Sequence, residues 1–143
     1  MSYRFIPEEA TADIAFEASG DTLEECFRAA VEAVLNVMVD NPEAVLEIEN
    51  RNIKLNNNAL DLLLFDLLQK IVFFKDAEQL LLHLDGIVLN RMGTLWRLSA
   101  TGKGEFIDPK RHRQRADVKA VTFHNFTLEQ TEKGWRAHVI LDI

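Results

Sequence analysis

Apart from one polar loop, the chain from Leu80 onward alternates apolar and polar side chains with a period of two: "LLLHLDGIVL", "LWRLSATGKGEF", "VKAVTFHNFTLEQ" and "GWRAHVILDI". A period of two puts successive side chains on opposite faces of a strand, so this half can only fold as sheet. Two earlier stretches break the pattern with helical spacing. Leu23, Cys26, Phe27, Ala30, Val31, Val34, Leu35 and Met38 form one stripe, and Leu60, Leu63, Leu64, Leu67, Leu68, Ile71 and Val72 form another. The first predicts a helix to about Val39, capped by Asp21 or Thr22 with Glu24 or Glu25 three residues on. The second predicts a helix from near Ala59, with "NNN" at 56–58 as turn and cap. Its Leu62, Phe65 and Phe73 widen the apolar surface beyond one face, so this helix is buried on several sides or its extra face meets a partner.

Ahead of the first helix, "YRFI" and "ADIAFEASG" read as strands; Ile14, Phe16 and Ala18 point one way, Asp13, Ala15 and Glu17 the other. "AVLEIENRNIKL" reads as a strand or a bent pair of strands. The order is two strands, helix, strand, helix, then a run of strands. That order predicts an α+β fold, mostly antiparallel sheet with two amphipathic helices packed on one side. At 143 residues, without a proline-rich linker or an internal repeat, residues 1–143 are expected to form one domain.

The net charge of −7 argues against a large nucleic-acid-binding face. The one concentrated basic run, Lys110 to Arg115 ("KRHRQR"), lacks interleaved aromatics and reads as a solvated loop, with docking on an acidic surface as the alternative. Cys26 is the only cysteine, which fits a reducing compartment, and its place in a helical stripe makes it core filler. The start "MSYRFIPEEA" has no apolar signal region, and no apolar run reaches the ~20 residues of a membrane span. A soluble, cytoplasmic protein is expected.

His83, His112, His124 and His138 have no zinc-ligand spacing with one another or with Cys26, and each reads as surface or half-buried. "GKGEF" lacks the spacing of a phosphate loop, and no nucleophile elbow is present. The acids are more informative. Asp13 lies on the polar side of an early strand, and Asp142 directly precedes the carboxylate of Ile143 in the final strand. Two anions a few ångströms apart repel, and a cation between them relieves the repulsion. All-oxygen ligation selects a hard ion, Ca²⁺ or Mg²⁺. On chemistry alone, acids facing water are the simpler reading.

Three stretches then resemble the archease family. "EATADIAFEASGDTLEECF" (9–27) is similar to its D-H-T-A-D-I-G and G-x-T-L-E-E-L-F pattern. "GEFIDPKRHRQRADVKAVTFH" (104–124) is similar to its G-E…D…H…E-V-K-A-[VI]-T-Y-H run, and "WRAHVILDI" (135–143) to its W-x-A…D-I ending. The leucine-rich helix with an internal Asp, "ALDLLLFDLLQKIVFF", also fits.

The resemblance implies a small cytoplasmic, non-enzymatic protein. Its partner would be the GTP-dependent RNA ligase of tRNA splicing and RNA repair, whose guanylylation and turnover it promotes. An older reading of the family makes it a chaperone for a tRNA methyltransferase. The resemblance also implies a divalent metal, Ca²⁺ first with Mg²⁺ or Mn²⁺ as alternatives, held by Asp13, Asp142 and the Ile143 carboxylate. Lys119 and Asp117 would lie nearby, contacting ligase, phosphate or metal. The ending would then be abrupt because its carboxylate is a ligand. Four departures stand out: Glu9-Ala10 replace the family's Asp-His, Ala15 its Gly, Phe123 its Tyr and Asp117 its Glu.

Three other readings compete. They are a stand-alone metal-dependent phosphoester enzyme, an RNA-binding or chaperone-like module using Lys110–Arg115, and a homo-oligomer assembled through the wide second helix. The first lacks an evident base or nucleophile beside the acids.

Overall fold

A computed structural model describes residues 1–7 and 13–143. In chain order the elements are β1 (Ser2–Ile6), β2 (Asp13–Gly20), α1 (Leu23–Met38), a 3₁₀ turn (Pro42–Ala44), β3 (Glu49–Asn57), α2 (Leu60–Glu78), β4 (Leu80–Met92), β5 (Leu95–Phe106), β6 (Ala120–Thr131) and β7 (Gly134–Asp142). The strands form a four-stranded sheet, β1-β2-β7-β6, and a three-stranded sheet, β3-β5-β4. Every pairing is antiparallel. This is the predicted α+β architecture.

The local chemistry of α1 follows its sequence. Thr22 caps it: its hydroxyl accepts from the Glu25 N–H at 3.2 Å, and the Glu25 carboxylate turns back to the Thr22 N–H. The predicted stripe is buried from Leu23 to Met38. Cys26 lies wholly inside the core, and burial pushes its thiol up to about 11, far from a reactive thiolate. The helix ends without a basic residue in its last turn. Its terminal carbonyls are met instead from residues 115 and 116. The Arg115 N–H donates to Met38 O, the Ala116 N–H to Val37 O, and the Arg115 guanidinium to Asn36 O.

Helix α2 is buried on several sides, as its wide apolar surface predicts, leaving Leu62 and Phe73 exposed. It contacts β6 of one sheet and β3, β4 and β5 of the other, while α1 contacts β1, β2, β7 and β4. The core between the sheets therefore runs continuously through both helices. Two expectations are corrected here. Asn56 and Asn57 belong to β3 rather than to a turn, although the Asn57 amide oxygen still accepts the Ala59 N–H at 3.0 Å at the entry of α2, and Ala59 at the N-cap makes no side-chain hydrogen bond of its own. Residues 44–48 do not begin a strand; Pro42 and the 3₁₀ turn hold the chain until Glu49. β3 is a sheet edge, where a solvent-facing row of Asn is tolerated.

Gly104 marks a close approach of the central strand β5 to its neighbour β4 in the smaller sheet. A Cβ there would stand 1.7 Å from the Leu81 carbonyl oxygen, so only glycine fits.

His83 on β4 links the two layers. Its Nδ1 faces the Glu32 carboxylate at 2.8 Å and its Nε2 faces the Pro42 carbonyl at 3.0 Å. Two acceptors call for two N–H donors, the imidazolium. Burial lowers the histidine's proton affinity, but the Glu32 hydrogen bond and charge, with the Pro42 carbonyl, outweigh it and hold the pKa above the ordinary 6.5. A folded-state value above the unfolded one contributes stability that is complete below pH 6.5 and is lost as pH rises through the folded value. Thermal melts from pH 6 to pH 9 are therefore expected to show a falling component in the wild type that is missing in His83→Gln. Equal slopes would exclude the imidazolium.

Candidate metal centre and the strap beside it

The pairing of β2 with β7 sets the geometry. Its register places Asp13 directly opposite Asp142, then Ala15 opposite Ile140 and Glu17 opposite His138. Since residues two apart share a face, Asp13 and Asp142 project from the side away from Ile14, Phe16 and Ala18, which pack toward the core. Directly opposed residues have Cβ atoms about 4.5–5.5 Å apart, and like charges there repel. Both acids are half-buried. Asp142 is also opposite Ala120 of β6, so it sits between two neighbouring strands at their ends. Ile143 is half-buried, with its side chain packed against the core. Of the sequence-predicted ligands, the structure thus pairs Asp13 with Asp142 across two strands and fixes Ile143 immediately beyond.

The donor chemistry suits a hard ion only in part. Among the described residues, no group of three or more His, Cys, Asp or Glu side chains is placed to hold a metal. Two opposed carboxylates need a third oxygen from the Ile143 carboxylate, a carbonyl or water to complete such a site. Glu9 and Ala10, which replace the family's Asp-His, lie outside the described residues.

The predicted accessory pair, Asp117 and Lys119, lies on the connection between β5 and β6. Connections of this length are uncommon unless they have a function. This one is a strap tied down along its length. At its start Glu105 is almost fully buried and receives three donors: the Leu46 N–H at 2.9 Å, the His112 Nε2–H at 2.7 Å and the Arg111 guanidinium. The Asp108 N–H donates to His112 Nδ1 at 2.9 Å, which places the ring proton on Nε2. Burial alone would raise the Glu105 pKa; the hydrogen bonds from Leu46, Arg111 and His112 outweigh it and hold the carboxyl below its ordinary range.

His112 is only 2 % exposed, which corrects the expectation of a surface or half-buried histidine. Nor is the basic run a free solvated loop. Arg111 is paired with Glu105 and Asp108, and Arg115 with Asp40 at 3.2 Å. Arg115 also lies over the Phe5 ring. These pairs leave less free positive charge for phosphate contacts than the sequence suggests.

At the far end of the strap, Asp117 bonds to Lys75 of α2 at 2.5 Å. Lys75 is itself buried, and its ammonium also meets Asp76 at 2.5 Å and the Val118 carbonyl at 2.8 Å. Burial would lower the lysine pKa; the hydrogen bonds it donates to Asp117 and Asp76 reverse that and keep it raised. The Lys75 hydrogen bond and charge also hold the Asp117 carboxyl below its ordinary range. Two residues on, the exposed Lys119 donates its backbone N–H to the Asp142 carbonyl at 2.8 Å. The structure therefore brings the Lys119 backbone to the acid pair and attaches the Asp117 carboxylate to the helix.

Sequence reasoning passed over Lys75, Glu105 and His112 as functional residues. Lys75 had a signal: it continues the stripe of Leu68 and Ile71 at helical spacing, where a charge needs a buried partner.

The comparisons agree across nearly the whole chain. Residues 3–143 match the model of the Archease protein family (MTH1598/TM1083). The chain is similar to the protein archease of Pyrococcus abyssi, 32% identical over 136 residues that cover 94% of this chain and 95% of that protein. It is similar to the protein archease of Methanosarcina mazei, 33% identical over 137 residues, 94% of this chain and 92% of the relative. The solution structure of Methanobacterium thermoautotrophicum protein 1598 superposes with a TM-score of 0.81 at 29% identity, covering 99% of this chain and 98% of the other. The crystal structure of a Thermotoga maritima archease, described as a possible chaperone, shares the fold with a TM-score of 0.59 at 20% identity, over 96% of each chain.

Proposed function

The chain belongs to the archease family, and on that premise we propose that it is a non-catalytic protein cofactor that activates a GTP-dependent RNA ligase by promoting its guanylylation and turnover. The observation that carries this reading is the Asp13–Asp142 cross-strand pair, two like charges directly opposed in the register of β2 and β7. Asp13, Asp142 and the Ile143 carboxylate would hold a divalent cation, Ca²⁺ in the first instance. Such an ion supplies positive charge that orients phosphate oxygens. Lys119, exposed and anchored through its backbone to Asp142, offers a cation beside them for a phosphate or an acidic group of the ligase. Among the described residues no helix is long and apolar enough to cross a membrane, and the site of action we propose is the cytoplasm.

The test is guanylylation of the purified ligase from the same genome, with labelled GTP. The wild-type chain is expected to raise the rate and the yield over several turnovers, and Asp142→Ala to leave the ligase at its unaided level. No stimulation by wild type, or full stimulation by Asp142→Ala, would overturn the reading. If the chain instead protected a tRNA methyltransferase from aggregation without affecting the ligase, the chaperone reading would replace it.

A further inference from the structure

We propose that Lys75 is a positioning residue for the acid pair, acting through the backbone of residues 117–119. This rests on the reading of Asp13 and Asp142 above and adds a part that neither the motifs nor the relatives assign. The ammonium of lysine has three donors and no acceptor. Lys75 meets three acceptors, Asp76, Asp117 and the Val118 carbonyl, two of them on the strap. A buried ammonium so saturated is expensive to move, because breaking one partner leaves charge without compensation.

The strap is pinned at Val118, whose side chain is fully buried. The next residue donates its N–H to the Asp142 carbonyl. Downstream, Gln69 of the same helix accepts the Val121 N–H at 2.9 Å. Helix α2 thus grips the chain at 117–118 and again at 121, and Lys119 lies between the two grips. The exposed Asp117 carboxylate is the counter-ion of this anchor, which assigns it a different role from a metal ligand.

The test combines amide hydrogen exchange with calcium titration of the full chain. In Lys75→Met the Lys119 amide is expected to exchange about tenfold faster or more, while the amides of β2 and β7 keep their protection, a local opening rather than global unfolding. Calcium affinity should fall in parallel. Asp117→Asn should act in the same direction, the double variant should be no worse than Lys75→Met, and Lys75→Arg should restore much of both readouts. An unchanged Lys119 amide in Lys75→Met overturns the inference. So does a calcium affinity that falls in Asp117→Asn and not in Lys75→Met, since Asp117 would then touch the ion directly. If Lys75→Met does not fold, Lys75→Arg and Asp117→Asn make the same comparison. If the wild type binds no calcium, the functional reading fails while hydrogen exchange still decides the role of Lys75.

Discussion

Glu105→Ala is expected to lower the stability of the chain by about 3–5 kcal/mol, because two buried donors lose a charged acceptor at about 1–3 kcal/mol each. The substitution leaves His112 and the Leu46 N–H without their acceptor, inside a site where the Glu105 side chain is 7 % exposed. It also frees Arg111 from its carboxylate, which matters less because that guanidinium is partly solvated and keeps Asp108. At about 3 °C per kcal/mol for a domain of this size, the melting temperature should drop by about 10 °C or more. Glu105→Gln retains an oxygen for His112 and Leu46, so it should cost about 1–2 kcal/mol. Thermal melts of the two variants check this. Equal effects would mean that Glu105 contributes through its charge to Arg111 rather than through the buried hydrogen bonds.

Asp142→Asn is expected to have opposite effects with and without a divalent ion. In metal-free buffer the variant should melt slightly above wild type, because relief of a like-charge cross-strand pair is worth about 0.2–1 kcal/mol. With excess calcium the order should reverse, since an ion that binds only the folded state stabilises by about 2.7 kcal/mol at a hundred times its Kd. The crossover is the informative feature. A carboxylate that merely faces water gives neither effect, and one that matters only for packing gives a loss in both buffers. Asp13→Asn, on the facing strand, should behave the same way.

The elements were more legible in the sequence than the site. The period-two runs, the α1 stripe and the Thr22 and Glu25 pairing are local signals, and local hydrogen bonding carries them through. Asn56 and Asn57 misled because an edge strand faces water on one side and so hides its alternation behind polar residues. The strap misled for the opposite reason. His112 lies in a stretch of charged residues, and its partners in the interior are Glu105 and Asp108, which a polarity pattern does not register. The opposition of Asp13 and Asp142 depends on strand register between distant segments. Alternation gave the face of Asp13, and only the family resemblance joined it to the end of the chain. Lys75 was visible as a charge in an apolar stripe, but its partners on the strap are set by tertiary packing.

In the proposed function, the acids facing each other across β2 and β7 hold one hard cation. Calorimetric titration of calcium into the metal-stripped full chain tests it directly. The expected result is saturable binding at one ion per chain, weakened by about a hundredfold or lost in both Asp13→Asn and Asp142→Asn, with magnesium competing more weakly. Wild-type affinity retained in the Asp13→Asn, Asp142→Asn double variant would contradict it, as would a wild-type chain that takes up no divalent ion.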